Sequence, residues 1–342
     1  MAIYSCSLQD LIMMNTTSHA SIRSRALSAT LACALLTLTV NAQAVTPAGA
    51  AARAPQPAAS YADPGLRLET IGYRLSRANA TQCAAPDMLT GLMLHNIGGY
   101  DEADRAELSE VFDLTGGFGV LHVVPGSTAD LAGIVEDDEI VALNGTDLAQ
   151  FARDAIGKQG TYERTERMVT LLQQSLGRGP ATLGIRRAGV PITLVLTGEQ
   201  GCGGRFAVLH SRTLNAWSDG RYVAVTDRMM NFAGDDAELA FVVAHEMSHN
   251  MLHHAEQTKG ISRMLAEFGL GAKKLKASEV EADNLAVEVI ARAGYSLAAP
   301  ERILRRLAPG QMMDLAITHP GISRRIQIVR SAAARLRLAH FG

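Results

Sequence analysis

The sequence predicts an α+β protein in which a mainly helical unit carries a small β-rich insertion. Two observations indicate this class. Apolar residues recur at helical spacing before and after residues 116–199, whereas that central stretch has short apolar runs separated by Gly, Pro and Asn turns. The chain has 342 residues, 47% of them hydrophobic, which is enough for two or three domains with buried cores. The formal net charge is −2 and no basic stripe is present, so we expect no nucleic-acid partner.

The N-terminus has the organisation of an export signal. Two arginines precede an apolar run at 26–40, and an Ala-x-Ala cleavage pattern follows at 42–44. The run is too short to span a bilayer stably, and no other stretch is long and apolar enough for a transmembrane helix. These features predict a signal peptide over residues 1–44 and export, with the bacterial periplasm as the expected location. A lipid anchor at Cys33 and full secretion are the alternatives.

Two segments separate the signal from the insertion. Residues 45–61 are rich in Ala and Pro, which predicts a disordered linker. Residues 62–115 carry apolar residues at helical spacing, so we predict an N-terminal helical segment that belongs to the same unit as residues 200–342.

The insertion is predicted over residues 116–199. An Asn144-Gly145 pair follows one strand, and Ala188-Gly189 joins two later strands as a hairpin. A helix is predicted between these turns, at 165–176. Asp137 is of a residue type that tolerates a left-handed backbone.

Cys83 and Cys202 flank this insertion and remain after signal cleavage. Since an even pair of cysteines in an oxidising compartment tends to be bonded, we predict a disulfide that joins the two ends of the insert. In the chain-entropy model, a loop of this length stabilises the fold by about 4–5 kcal/mol.

The sequence His245-Glu246-Met247-Ser248-His249 contains the pattern H-E-x-x-H in a helical context. Histidines four residues apart lie on one helix face, so both imidazoles can bind one metal ion. Asp235 precedes the helix as an N-cap candidate. The apolar residues of the helix fall on the opposite side, which predicts that this apolar face is buried and that the imidazoles face a cleft.

Zinc with two histidines requires a third protein ligand. Glu279 and Asp283 are four residues apart on a predicted helix and share a face, whereas Glu281 points away from it. We therefore predict Glu279 as the third ligand of one Zn²⁺ per chain. Asp283 can accept a hydrogen bond from the far nitrogen of a ligating histidine and thereby fix its tautomer.

These motifs resemble the HtpX, Oma and BepA group of zinc metallopeptidases, which is related to the CAAX prenyl proteases and ligates zinc through two His and one Glu. The resemblance covers roughly residues 203–342 and implies a zincin-type peptidase domain at 200–342. Three further segments carry it: Asn215 to Gly220 (with Trp217 where the family more often has Phe), Asp236 to Leu239, and Thr318-His319-Pro320 followed by Arg325-Ile326.

The resemblance also implies the roles of the site residues. Glu246 would act as general base towards the attacking water and return the proton to the leaving amine. His319 would lie near the metal, either as a donor to the oxyanion or as a reversible ligand that blocks the water site. A purely structural histidine before Pro320 is the other interpretation.

The insertion resembles a PDZ domain through the pattern V-x-x-V-x-P-G-S-x-A-x-x-A-G, which is followed by D-x-I-x-x-x-N-G. PDZ domains add an extended peptide to a sheet edge, so the resemblance implies a C-terminal peptide as ligand. A spacer or a regulatory lid without peptide affinity is the alternative.

Together these observations predict an exported zinc endopeptidase that acts on protein substrates, in envelope protein quality control. A non-catalytic, chaperone-like peptide-binding protein and a zinc hydrolase of non-peptide substrates are the competing hypotheses.

Overall fold

The structure, a computed structural model, describes residues 63–149, 157–257, 271–307 and 320–341. The predicted signal peptide and linker lie outside these ranges, as does His319. Within them, no helix combines the length and the apolar character that crossing a bilayer requires.

The described α-helices differ widely in length, from a single turn to 21 residues. In chain order they are α1 (Pro64–Ala78), α2 (Arg105–Val111), α3 (Thr128–Leu131), α4 (Glu163–Leu176), α5 (Asp227–Phe232), α6 (Asp236–Met251), α7 (His254–Gln257), α8 (Ala272–Arg292), α9 (Ala299–Arg306) and α10 (Ile322–Phe341).

The described strands form three sheets. In chain order they are β1 (Pro86–Leu89), β2 (Leu92–His95), β3 (Phe118–Val123), β4 (Glu139–Leu143), β5 (Thr146–Asp147), β6 (Ala181–Arg187), β7 (Val190–Leu196), β8 (Glu199–Cys202), β9 (Arg205–Leu209), β10 (Ala216–Ser218) and β11 (Tyr222–Thr226).

One apolar core unites the two ends of the described chain. Helices α6 and α8 pack against each other, and α10 packs on α8. Helix α1 joins this core through Leu68, Ile71 and Leu75, which are at most 1% exposed and cluster with residues of α6 and α8. The Arg67 guanidinium also donates a 2.8 Å hydrogen bond to Asp236, at the start of α6. The segment before the insertion is therefore part of the helical unit.

Helix α6 shows how local sequence places the site. The Asp235 side chain accepts a 2.8 Å hydrogen bond from the Glu238 amide and caps the helix, as predicted. Ala240, Val243 and Met247 are at most 3% exposed and anchor the helix in the core. Strands β10 and β11 contact this helix, and β10 pairs with β11, which pairs in turn with β9.

The insertion contains a six-stranded sheet in the order β2-β3-β4-β6-β7, with β5 paired to β4. Helix α4 packs on it through Met168, Leu172 and Leu176. The predicted turns form: Asn144-Gly145 and Ala188-Gly189 all have positive φ, as a two-residue hairpin turn requires. Asp137 has φ 64°, the left-handed conformation expected from the sequence.

The expectation that residues 62–115 are mostly helical is wrong for residues 86–95. This stretch forms β1 and β2, and β2 belongs to the sheet of the insertion, so that sheet begins before residue 116. The physical reason is that the apolar run at 92–94 is short, and periodicity alone does not separate a buried strand from a helical turn over such a length.

The two ends of the insertion meet at the C-terminal end of α1. Strand β1 pairs antiparallel with β8, with Pro86 opposite Cys202. The structure joins Cys83 and Cys202 by a disulfide with Cα atoms 5.5 Å apart, as the sequence predicts. The chain therefore leaves the helical unit and returns to it at one place.

Candidate active site

Three predicted ligands converge at one point, two from α6 and one from α8. The Nε2 atom of His245 lies 3.3 Å from Nε2 of His249 and 3.2 Å from Oε2 of Glu279. The Nε2 atom of His249 lies 3.4 Å from Oε1 of Glu279. All three side chains offer a ligand atom within 4.8 Å of the others.

These separations fit a tetrahedral zinc site. Zinc bonds of about 2.1 Å at tetrahedral angles hold neighbouring donor atoms about 3.4 Å apart. The observed separations are 3.2–3.4 Å, and the donor set of two imidazoles and one carboxylate is one that catalytic zinc uses. Zn²⁺ would thus be held by His245, His249 and Glu279, with a fourth position left for water.

Asp283 supports His245 on the side away from the other ligands. Its Oδ1 lies 3.1 Å from Nδ1 of His245, so the imidazole can donate there while Nε2 faces the site. Arg325 of α10 holds the same carboxylate through two hydrogen bonds of 2.9 and 2.7 Å. Asp283 is fully buried and Arg325 is 7% exposed, so this pair is shielded from solvent.

The electrostatics of this cluster favour a cation. Burial lowers the pKa of His245, but the hydrogen bonds to Asp283 and Glu279 outweigh burial and raise it to about 10. Burial raises the pKa of Asp283, yet the Arg325 guanidinium holds that pKa well below its usual range. The carboxylates around His245 therefore stabilise positive charge at the point where the ligands meet.

Glu246 lies beside the ligands and is supported by the neighbouring strand. The Ser218 hydroxyl of β10 donates a 3.1 Å hydrogen bond to Oε2 of Glu246. Burial is the largest influence on this carboxyl and raises its pKa. A more basic carboxylate is a better proton acceptor, which suits a general base.

The site opens into a cleft of about 350 Å³. Its walls come from β10 and the segment before it, from α6 and α8, and from α9. Trp217 lines the cleft at the position where the resemblance places an aromatic residue. The imidazoles of α6 thus face a cleft while its apolar side faces the core.

His249 has a support that the sequence did not reveal. Its Nδ1 lies 3.0 Å from Nδ1 of His254, whose Nε2 lies 3.2 Å from Oε2 of Glu281. Glu281 does point away from the ligands, as predicted, and 62% of its side chain is exposed.

Two other site residues require comment. Glu238, on the histidine face of α6, is 1% exposed and forms ion pairs with Arg302 and Arg306 of α9, so it fixes α9 beside the cleft. His319 lies outside the described residues, and its predicted role stays a prediction. The roles of Arg325, Ser218 and His254 depend on contacts between separate elements, and no local pattern assigns them.

Comparison with known proteins agrees with this geometry. Residues 203–277 and 269–333 match the model of Peptidase family M48, and the matched ranges include α6, α8 and Arg325. The fold and the site define this part of the chain as a metallopeptidase. Through residues 203–333 the chain is similar to peptidase family M48.

Solved structures are similar to the insertion. One is the HtrA3 PDZ domain bound to a phage-derived ligand (FGRWV), 19% identical, with a TM-score of 0.24 and coverage of 34% of this chain and 89% of that chain. Another is the HtrA-type protease AlgW with a decapeptide, 17% identical, with a TM-score of 0.25 and coverage of 34% of this chain and 30% of that chain. No curated protein matches the chain.

Proposed function

We propose that the protein is an exported zinc-dependent endopeptidase that hydrolyses peptide bonds of protein substrates. The observation that carries this proposal is the convergence of His245, His249 and Glu279 at 3.2–3.4 Å, next to the carboxylate of Glu246. Zn²⁺ bound there would lower the pKa of a coordinated water and polarise the scissile carbonyl.

The chain's own residues supply the proton transfers. Glu246 accepts the proton of the attacking water and later donates it to the leaving amine. The hydrogen bond from Ser218 orients this carboxylate and ties it to β10. Asp283 and Arg325 keep His245 in the tautomer that leaves Nε2 free for the metal.

Strand β10 offers a place for an extended substrate. It stands at the end of the sheet order β10-β11-β9, so among the described strands it has a neighbour on one side only. Residues 214–218 line the cleft. An extended peptide that pairs with this edge would pass beside Glu246. It would be held by main-chain hydrogen bonds, which do not depend on side-chain identity.

Metal analysis combined with a protease assay tests the proposal. We expect purified protein to contain one zinc per chain, and to cleave an unfolded protein such as casein in a manner that a chelator abolishes and added Zn²⁺ restores. Stoichiometric zinc without casein cleavage would favour the chaperone-like or the non-peptide hydrolase hypothesis. Absence of stoichiometric metal would contradict the site itself.

A second activity, peptide binding by the insertion, is supported by a cavity of about 160 Å³. It lies between the edge of β2 and one face of α4, and residues of the peptidase unit also line it. Among the described strands, β2 pairs only with β3. The residues that define the cavity are Leu92, Met93 and Leu94 of β2, Thr165, Val169 and Leu172 of α4, and Tyr73, Phe206 and Tyr222 of the peptidase unit.

We propose that this groove takes an extended, apolar peptide with a free C-terminus, because an unpaired strand edge beside a helix supports strand addition. In a titration of labelled peptides, we expect Val169→Glu to weaken binding at least about tenfold, since it introduces a charge into an apolar wall. Leu171→Glu is the matched control, because Leu171 lies on the same helix and is 37% exposed. If the wild-type protein binds no peptide of a diverse library, the insertion is a spacer or a lid.

The place of action is a proposal from the sequence alone. The predicted signal over residues 1–44 supports export, and the Cys83–Cys202 disulfide is compatible with an oxidising compartment such as the periplasm. We propose envelope protein quality control as the process, since strand addition and a broad cleft suit unfolded substrates.

A further inference from the structure

We propose that His254 and Glu281 act as a positioning pair that orients His249 towards the metal. The inference rests on the proposed function, because it concerns one arm of the same zinc site. The observation is a chain of two contacts: Nδ1 of His249 to Nδ1 of His254 at 3.0 Å, and Nε2 of His254 to Oε2 of Glu281 at 3.2 Å.

The backbone is shaped to bring His254 under His249. Helix α6 ends at Met251, and His253 adopts the left-handed conformation with φ 54°. This residue interrupts the helical path, and α7 begins directly after it with His254. His253 is exposed, whereas His254 is 3% exposed. An imidazole is costly to bury without hydrogen bonds, so its contacts on both ring nitrogens account for its position.

The proton positions are consistent along the whole chain of contacts. The Nε2 atom of His249 faces the other two ligands, so its lone pair must point to the metal. The neutral ring then carries its proton on Nδ1 and donates it to Nδ1 of His254. His254 in turn carries its own proton on Nε2 and donates it to the Glu281 carboxylate. Each of these two contacts then joins one donor to one acceptor.

The two ligating histidines therefore have different supports. His245 is held by Asp283, which is fully buried and anchored by Arg325. His249 is held by a neutral imidazole whose partner, Glu281, has a side chain that is 62% exposed. Because outer partners of a ligating histidine fix its tautomer and its ring orientation, loss of His254 will weaken the metal site without removing a ligand.

The test measures the zinc dissociation constant by competition with a chelator, alongside the unfolding temperature of the metal-free protein. We expect His254→Leu to raise the dissociation constant about 10- to 100-fold, the range typical for loss of such a partner. His254→Asn should retain part of the affinity, because the amide oxygen can accept from His249. Glu281→Ala should raise the dissociation constant less than His254→Leu does. Glu279→Ala removes a ligand and should raise the dissociation constant more than any of these variants.

A double variant separates this role from simple packing. Because Glu281 acts through His254, adding Glu281→Ala to His254→Leu should produce no further loss of affinity. His253→Asn and Glu288→Ala are the matched controls, since His253 is exposed and directly precedes His254, and Glu288 lies on the helix of Glu281 with 39% of its side chain exposed. The absorption spectrum of the Co²⁺-substituted protein should change in His254→Leu and remain unchanged in both controls.

The outcomes distinguish this inference from the proposed function. If the wild-type protein binds no stoichiometric zinc, the proposed function fails as a whole. If wild type and folded His254 variants bind zinc equally well, or if the two single losses add fully in the double variant, only the positioning role is overturned. Should His254→Leu fail to fold, His254→Asn and Glu281→Ala decide the question by the same measurement.

Discussion

Replacing Glu246 by glutamine is expected to leave zinc binding intact and to lower peptide hydrolysis by about two to four orders of magnitude. The amide has nearly the same shape as the carboxylate and can still accept the hydrogen bond from Ser218. It has no basic site that takes a proton from water at neutral pH, so the attack on the peptide carbonyl loses its general base.

The measurement compares kcat for a fluorogenic peptide and zinc content in the same preparations. Glu256→Gln is the matched control, because it makes the same chemical change away from the cleft. Glu256 lies on α7 and is exposed. If the Glu246 variant retains normal kcat, another group must act as the base.

Replacing Arg325 by leucine is expected to lower the free energy of unfolding by about 3–5 kcal/mol. The guanidinium donates two hydrogen bonds to Asp283, which is fully buried. Without Arg325 this buried carboxylate loses both guanidinium hydrogen bonds and keeps only His245 as a partner, and that is far more costly than the loss of a solvent-exposed ion pair.

Urea denaturation of the metal-free protein measures the loss. Arg324→Leu is the matched control, because Arg324 precedes Arg325 on α10 and is exposed. The double variant Asp283→Leu with Arg325→Leu should recover most of the stability, since it removes both charges. It should not recover zinc affinity, because His245 loses its acceptor. An Arg325 variant as stable as the Arg324 control would show that the pair has no such role.

The site was largely predictable because its ligands follow the helical repeat. The four-residue spacing of His245 and His249, and the shared face of Glu279 and Asp283, are properties of one helix each. Arg325 and His254 were not predictable in the same way, since their contacts depend on how α10 packs and on the left-handed backbone at His253.

In the insertion, too, some features were predictable from the sequence and others were not. The turns at Asn144-Gly145 and Ala188-Gly189 were recognised from Asn144, Gly145 and Gly189, which are residue types that tolerate positive φ. Strands β1 and β2 were missed, because each has four residues and a strand that short is defined by its partners in the sheet. The cavity between β2 and the peptidase unit is likewise a product of tertiary packing.

The bond between Cys83 and Cys202 changes what a cut in the insertion would do. Both halves of the helical unit, α1 on one side and the helices that carry the predicted zinc ligands on the other, lie outside the bonded pair. Cleavage of a single peptide bond between residues 84 and 201 would therefore produce two polypeptides that stay joined by the Cys83–Cys202 disulfide. Clipped molecules would migrate as one species on a non-reducing gel and separate only after reduction, with the zinc ligands still together on the C-terminal fragment.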